Sequence, residues 1–127
     1  MTIRYRVDAL PRTRFVAQES GANGTFGLAF QRAGDNWSAK GRYETYRWYS
    51  PVIVPLEPGV HTFKARLDDP RWKAVMSTTA ASNPAAFAAA LAQTESVSLT
   101  FGGPGGRGHG VYATAPATFT ILHFSIN

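Results

Sequence analysis

The most suggestive spacing belongs to the glycines of VSLTFGGPGGRGHGVYAT, residues 97–114. Gly103, Gly105 and Gly108 form the pattern G-x-G-x-x-G. In dinucleotide-binding folds this pattern makes a tight turn from a strand into a helix, and the helix N-terminus holds the pyrophosphate. Nucleotide binding therefore requires a helix directly after the glycines.

The residues after this pattern do not predict a helix. The segment that comes after Gly110 is β-branched and aromatic and is interrupted by Pro116, and the chain has no acidic residue after Glu95 to bind a ribose. The glycines instead predict a long turn between two antiparallel strands. An alternative stays open, in which Arg107, His109 and the bare backbone contact a ligand.

A second group of residues mixes rings and polar side chains within QRAGDNWSAKGRYETYRWYS, residues 31–50. Aromatic rings stack on the apolar faces of sugars, while Arg, Asp, Asn and Gln hydrogen-bond the hydroxyl groups. This mixture predicts a carbohydrate site, although the rings could equally fill a core. The candidate ligand-binding residues are Trp37, Tyr46, Trp48 and Tyr49 for stacking, and Asp35, Asn36, Arg47, Arg107 and His109 for polar contacts.

Catalytic patterns are weaker. The chain has three histidines and no cysteine, and it contains no H-x-H, H-E-x-x-H or G-x-S-x-G motif. Paired carboxylates could cleave a glycosidic bond, but Asp68 and Asp69 resemble a helix start. No catalytic residue, metal site or cofactor is predicted, and an enzyme is not favoured.

The charge balance is basic, with 13 Lys and Arg against 8 Asp and Glu and a net charge of +5. Such a balance fits an anionic partner such as nucleic acid, a lipid surface or an acidic polysaccharide, or simply a solvated basic surface. KGRYETYRWYS mixes basic and aromatic residues as single-strand binders do. However, Gly41 is followed by Arg42 rather than by an aromatic residue, so the RNA-binding RNP1 motif is absent and nucleic acid is disfavoured.

The length of 127 residues predicts one domain covering residues 1–127. No apolar stretch reaches the roughly 18 residues of a membrane span. The N-terminal segment carries arginines but lacks the apolar stretch of a signal peptide. The expected compartment is therefore the cytoplasm, or the outside of the cell if a leader is absent from this chain.

Hydrophobic patterning predicts short strands separated by Gly, Pro, Asn and Asp. TFGLAFQ (25–31) alternates as a half-buried strand, and RYETYRWYS (42–50) is the next strand. In ATFTILHFSI (117–126) the apolar phase changes at Leu122, which predicts a bulge or burial on both faces.

Two segments have helix signals. An Ala-rich helix is predicted at about 83–93, where Ser82 or Asn83 is the cap and Pro84 opens the first turn. A single helical turn is predicted at about 70–75, after Asp69. Eight or so strands with one helix and no βαβ alternation predict an all-β, antiparallel β-sandwich.

Several segments together resemble a known group of proteins. GDNWS…GRYETYRWYS, a Trp in a short helix, the Ala-rich helix, LTFGG…GHGVY and ATFTILHFSI resemble small bacterial β-sandwich proteins over roughly residues 24–127. That group is similar to the galactose-binding-like jelly rolls, the architecture of many carbohydrate-binding modules.

The resemblance implies a jelly-roll fold and a lectin-like, non-catalytic function in carbohydrate or glycan binding. It transfers no site residue, because the group has no settled activity. Many jelly rolls hold Ca²⁺, and Asp35 and Asn36 are the nearest candidates, but no calcium-loop motif is present. Two alternatives remain: a structural or assembly protein that uses the sandwich as a protein-interaction surface, and a small jelly-roll enzyme.

Overall fold

The computed structural model describes residues 1–104 and 108–126, so Arg107 lies outside the described residues. The strands are β1 (Thr2–Ala9), β2 (Phe15–Ala17), β3 (Thr25–Arg32), β4 (Arg47–Pro55), β5 (Gly59–Lys64), β6 (Lys73–Ala74), β7 (Thr94–Gly102), β8 (Val111–Ala113) and β9 (Ala117–Ser125). A 3₁₀ turn spans Gly41–Thr45, and one α-helix, α1, spans Pro84–Ala92.

The strands form three antiparallel sheets with the orders β5-β1-β9, β2-β8 and β6-β4-β3-β7. This confirms the predicted all-β, antiparallel sandwich with one short Ala-rich helix. The jelly-roll assignment came from the resemblance and stays a prediction. None of the described helices has the length and hydropathy to cross a membrane.

Contacts between residues divide the chain into two compact units. The first unit contains Met1–Gly27, Val52–Leu67 and the described residues from Thr100 onward, and the second contains Leu28–Pro51 and Asp68–Leu99. Strands β3, β4 and β7 contribute residues to both units, so neither unit is a continuous stretch of chain. The prediction of a single domain over residues 1–127 stays a prediction.

The first unit has a core of aromatic rings from facing strands. The alternation of β1 buries Ile3, Tyr5 and Val7 and leaves the residues between them exposed. Phe26 of β3 lies edge-on to Tyr5, with ring centroids 4.8 Å apart, and edge-on to Phe119 of β9 at 5.3 Å. Because these rings come from two different sheets, the sheets face each other across this core, as in a β-sandwich.

The phase change in β9 is a β-bulge. Arg4 pairs with His123 and Tyr5 pairs with Ile121, so Leu122 has no residue opposite it on β1. A bulge inserts one residue and reverses the alternation beyond it. The structure thus confirms the bulge that the sequence pattern predicted.

The second unit has a core between a helix and strands. Asn83 Oδ1 accepts a hydrogen bond from Ala86 N at 3.2 Å, and Pro84 opens α1, as predicted. Phe87 of this helix packs edge-on against Trp48 of β4, with centroids 5.0 Å apart, and against Phe30 of β3 at 5.7 Å. Trp48 and Phe30 are fully buried, so the helix anchors the unit through its single Phe.

The predicted helical turn at 70–75 is wrong. Lys73–Ala74 forms β6 and pairs with β4, with Ala74 opposite Trp48. Asp69 does cap a turn, since its Oδ1 accepts from Arg71 N at 2.9 Å. The following Trp72 is fully buried against Phe30, and this burial favours an extended chain over a helix.

The predicted strand at 42–50 begins too early. Gly41–Thr45 is a 3₁₀ turn, and β4 starts only at Arg47. A 3₁₀ turn places residues i and i+3 on the same side. Tyr43 and Tyr46 accordingly contact each other with ring centroids 5.0 Å apart, whereas in a strand they would point to opposite faces.

Two smaller predictions also change. β3 is buried on both faces from Phe26 to Phe30, not half-buried, and it is an inner strand of its sheet, between β4 and β7. Gly108 and Gly110 have the predicted positive φ, at 78° and 96°, whereas Gly103 does not, and Gly105 lies outside the described residues. However, β7 and β8, which flank the glycine segment, belong to different sheets.

Candidate functional site

The candidate site in the second unit begins with a loop that local hydrogen bonds shape. Asp35 Oδ1 accepts from Trp37 N at 3.1 Å, and Asn36 Oδ1 accepts from Ser38 N at 3.0 Å. Trp37 and Ala39 have positive φ, at 64° and 54°. A left-handed backbone costs a non-glycine residue about 1–2 kcal/mol. The loop therefore holds Trp37 in a position that an unconstrained chain would avoid.

The buried side chain of Asp35 holds this loop through contacts with two other side chains. Its side chain is fully buried, and its Oδ2 accepts from Gln31 Nε2 at 2.9 Å. The same oxygen lies 3.2 Å from Arg47 Nε, and the Arg47 side chain is also almost fully buried. The Nε–H is not directed at the oxygen, so Nε makes no hydrogen bond within the described part of the chain. The contact is thus an ion pair without a hydrogen bond at Nε.

Trp37 completes a stack of three side chains. Its ring covers the Arg47 guanidinium, with Cζ 4.5 Å from the ring centroid, which is a cation–π contact. Trp37 is nevertheless 66% exposed. Because one face covers Arg47, the exposed area lies on the opposite face and on the edges of the indole. We call Asp35, Arg47 and Trp37 the Trp37 stack.

A second group of rings and cations lies on the neighbouring residues of the same segments. Arg32 Cζ lies 4.7 Å above the Tyr46 ring, and Arg42 Cζ lies 4.8 Å above the Tyr43 ring. Since Tyr43 and Tyr46 contact each other, the four side chains form one continuous series. Gln31, which contacts Asp35, and Arg32, which covers Tyr46, are adjacent in β3 and therefore point to opposite faces of the strand, so the Arg–Tyr series is close to the Trp37 stack in sequence but is a separate group.

The guanidinium groups of the Arg–Tyr series donate hydrogen bonds to uncharged side chains. Arg32 Nε donates to Gln93 Oε1 at 2.9 Å, and Arg42 Nη2 donates to the Tyr43 hydroxyl at 2.7 Å. The latter hydrogen bond raises the pKa of the Arg42 guanidinium, which stays charged. Within the described residues neither arginine has a carboxylate at ion-pair distance. The Arg–Tyr series therefore carries positive charge without a carboxylate partner among the described residues.

The other predicted site residues lie elsewhere or have other roles. Trp48 is fully buried against Phe87, so its faces cannot stack on a ligand, and it is removed from the candidate residues. Tyr49 is half-buried and pairs with Lys73 of β6. Asn36 is exposed and shapes the loop.

The glycine segment lies in the first unit. His109 Nε2 is 3.7 Å from Glu19 Oε2, and both side chains are more than half exposed. Such an exposed pair contributes little to stability. The prediction for Arg107 falls outside the described residues, so the structure does not extend this part of the candidate site.

Sequence reasoning missed Arg32, Arg42 and Tyr43 as parts of the site. The signal for Tyr43 is its spacing of three from Tyr46, which becomes a contact only in a 3₁₀ turn. The strand interpretation of this segment separated the two rings. Arg32 carries no comparable signal, since its contact with Tyr46 depends on the pairing of separate segments.

The described residues also bear on metal binding and catalysis. They contain no group of three or more His, Asp or Glu side chains placed to hold a metal ion. The first unit has an apolar cleft of about 260 Å³ lined by Val7, Phe15, Leu56, Phe101, Phe119 and four further residues. None of the described residues that line this cleft has a titratable side chain.

Comparisons with known proteins add no functional information. No protein-family model matches the chain, and the searches of curated proteins and of solved structures found no match. The resemblance to galactose-binding-like jelly rolls therefore stays a prediction from the residues.

Proposed function

We propose that the chain binds a carbohydrate, and specifically a glycan with acidic groups, that stacks on the open face of Trp37 and whose acidic groups reach Arg32 or Arg42 of the Arg–Tyr series. The observation that carries the proposal is the Trp37 ring, which is 66% exposed although its loop and Arg47 fix its position. An open indole face beside hydrogen-bonding groups suits the apolar face of a sugar ring.

The position of Trp37 favours binding because it is set before the ligand arrives. Ordering a loop or a large side chain on binding costs about 0.5–1.5 kcal/mol for each immobilised side chain. Here the hydrogen bond from Trp37 N to Asp35 Oδ1 and the cation–π contact with Arg47 already restrict the ring. The ligand therefore meets a preformed platform.

The charge of the surface favours an acidic glycan over a neutral one. Arg47 is compensated by the buried Asp35, but Arg32 and Arg42 stack on tyrosines without a carboxylate partner. A guanidinium group binds a carboxylate or sulfate through parallel hydrogen bonds. Uronic acid or sulfated sugars would supply these anions.

The arrangement of the rings argues against single-stranded nucleic acid, the other anionic polymer with flat groups. Sequence-tolerant binders stack successive bases on several open rings. In the described site Tyr43 and Tyr46 each have a face covered by a guanidinium group and also contact each other. Trp37 is therefore the one well-exposed ring of this surface, which fits one sugar better than a row of bases.

The direct test measures glycan binding of the wild type beside two matched variants. Calorimetry and an array of neutral and acidic oligosaccharides would compare the wild type with Trp37→Ala and Tyr112→Ala. Tyr112 is an aromatic residue of the first unit with a similar exposure of 53%. We expect Trp37→Ala to weaken binding at least about tenfold, a loss of about 1.4 kcal/mol, and Tyr112→Ala to leave it unchanged.

The outcomes separate the parts of the proposal. Unchanged binding by Trp37→Ala, or no binding to any glycan, would overturn it. Equal binding of neutral and acidic sugars would remove the acidic preference and keep the platform. For that point Arg42→Gln is compared with Arg14→Gln, an exposed arginine of the first unit. Tight binding of single-stranded RNA without glycan binding would show that the ligand is a single-stranded nucleic acid.

The assembly role, the alternative function, draws support from a different region. Strand β9 exposes several large apolar side chains that have no part in the Trp37 surface.

A further inference from the structure

Strand β9 is an edge strand with an unusually apolar sequence. In the sheet order β5-β1-β9 it pairs with β1 on one side only. Its nine residues, Ala117–Ser125, therefore present a row of backbone N–H and C=O groups on the outer side. An edge of this kind is a template for pairing with another strand.

The side chains at the end of β9 are exposed although several point towards the core face. Ile121 lies opposite Tyr5, and Phe124 lies opposite Ile3, and both β1 residues are buried. Residues directly opposite each other in an antiparallel pair share a face. Nevertheless Ile121, Leu122, Phe124 and Ile126 are each between 40% and 56% exposed.

Apart from the bulge at Leu122, this edge lacks the usual protection against association. Natural edge strands carry Lys, inward-pointing charges or Pro, or are very short. Residues 117–126 contain no Lys, Arg, Asp, Glu or Pro, and His123 is their single ionisable side chain. The opposite edge of the sheet, β5, has six residues and ends with Lys64. The two edges of one sheet are therefore protected differently.

We propose that two copies of this chain pair through β9 in an antiparallel arrangement about a two-fold axis. The pairing continues the sheet as β5-β1-β9 of one copy followed by β9-β1-β5 of the other. The interface is isologous, since the same edge serves both copies and the assembly closes as a dimer. Pairing of β9 with β5 would instead produce an open chain of copies, which Lys64 at the β5 edge disfavours.

The bulge makes the apolar side chains self-complementary. By inserting Leu122, it places Ile121 and Phe124 on one face of the strand. An axis close to Leu122 and His123 sets Ile121 of one copy beside Phe124 of the partner subunit. The strand itself brings no Lys, Arg, Asp or Glu side chain to the interface.

The area that pairing would bury favours a second copy of the chain as the partner of β9. With roughly 200 Å² of accessible surface for a large apolar residue, the four side chains expose on the order of 350 Å² in each copy. Pairing would bury at most about 700 Å² from these residues in both copies together, because side chains that project from a sheet face stay partly open, and the paired backbones raise the total towards the roughly 1,000 Å² of a specific interface. This area predicts a reversible dimer rather than an obligate one.

Sedimentation velocity from about 1 to about 500 µM tests the pairing on the wild type, Leu122→Lys and Val60→Lys. Leu122 is 40% exposed at the β9 edge, and Val60 is 51% exposed on β5 of the same sheet. We expect a concentration-dependent dimer for the wild type and for Val60→Lys. Leu122→Lys should dimerise at least about 30-fold more weakly, because its lysine meets the apolar strand of the other copy.

Hydrogen exchange on the wild type covers the case in which Leu122→Lys does not fold. Dimerisation through β9 predicts that amides of β9 pointing away from β1 exchange more slowly at high protein concentration, while amides of β5 do not change. A wild-type monomer at the highest concentration would overturn the proposal. So would a dimer that Leu122→Lys leaves intact, or protection on β5 instead of β9.

Discussion

The two compact units bury aromatic rings in different ways and expose different kinds of surface. In the first unit, Tyr5, Phe26 and Phe119 contact one another across two sheets, and the exposed strand β9 carries apolar side chains without charge. In the second unit, Phe87 packs a helix onto strands, and the exposed Trp37 covers a buried ion pair.

This difference separates two functions that an exposed apolar group can have. Beside fixed polar groups, as at Trp37, it can orient a ligand with hydroxyl or acidic groups. Along an unpaired strand, as in β9, it can be covered by another strand. We therefore expect the buried Asp35–Arg47 pair and the strained loop of the second unit to hold Trp37 in position. The exposed side chains of β9 in the first unit need no such support.

The largest difference is expected between two Arg–Asp pairs, one in each unit. Asp35 and Arg47 are buried together, whereas Asp8 and Arg6 form an exposed pair at 2.8 Å. Removing Asp35 leaves a buried guanidinium without its carboxylate. We expect Asp35→Ala to lower the free energy of unfolding by about 3 kcal/mol and Asp8→Ala to lower it by about 0.5 kcal/mol or less.

Urea denaturation followed by circular dichroism measures both variants, because the strands of both units contribute to that signal, and tryptophan fluorescence is recorded beside it. The fluorescence reports on the second unit, because Trp37, Trp48 and Trp72 all belong to it. Asp35→Asn serves as a further variant, since its amide oxygen keeps the bond to Trp37 N but removes the charge. Equal losses for Asp35→Ala and Asp8→Ala would contradict the role of the buried ion pair.

Some features of both units could be predicted from the sequence because they depend on neighbouring residues. The strand at 25–31, the cap of α1 and the bulge at Leu122 arise from local patterns, so sequence predicted the strand, the helix and the bulge. The Trp37 prediction also rested on local context, because a Trp in a polar loop has no neighbours that would bury it.

Long-range packing explains the predictions that failed. Trp72 and Trp48 become core residues through contacts with Phe87, which is distant in sequence, and this packing replaces the predicted helical turn with β6. Alternation alone could not decide which face of a strand is covered. The contact of Arg32 with Tyr46 also depends on how separate segments pair, so this part of the site could not be predicted from the sequence.

A smaller effect, specific to the first unit, is expected at alkaline pH. Burial raises the pKa of the Tyr5 hydroxyl, and the Glu57 carboxylate acts in the same direction. The folded chain therefore keeps a proton that the unfolded chain loses near its ordinary pKa of about 10. This stabilisation is present below that pH and is lost as the pH rises through the higher pKa of the folded state.

We therefore expect the free energy of unfolding to fall above about pH 10 and Tyr5→Phe to reduce that fall. Urea denaturation at several pH values between neutrality and this range measures it. Tyr112→Phe is the control, since Tyr112 is exposed on β8. A pH dependence that Tyr5→Phe leaves unchanged would assign the effect to other groups.

The smallest effect concerns backbone strain, which both units contain. Ala39 in the loop of Trp37 has φ 54°, and Arg12 in a turn of the first unit has φ 67°. Glycine adopts such angles without steric cost, so each substitution by Gly should stabilise the fold by about 0.5–1 kcal/mol. Thermal unfolding would show both gains.

The two variants should differ in ligand binding. Ala39→Gly makes the loop of Trp37 more flexible before binding, so it should weaken glycan affinity a few-fold despite its greater stability. Arg12→Gly leaves that loop unchanged and should not alter affinity. Weaker binding by both variants, or by neither, would mean that strain near Trp37 has no part in presenting the ring. Strain that serves binding differs from strain in an ordinary turn because its relief increases stability at the expense of affinity.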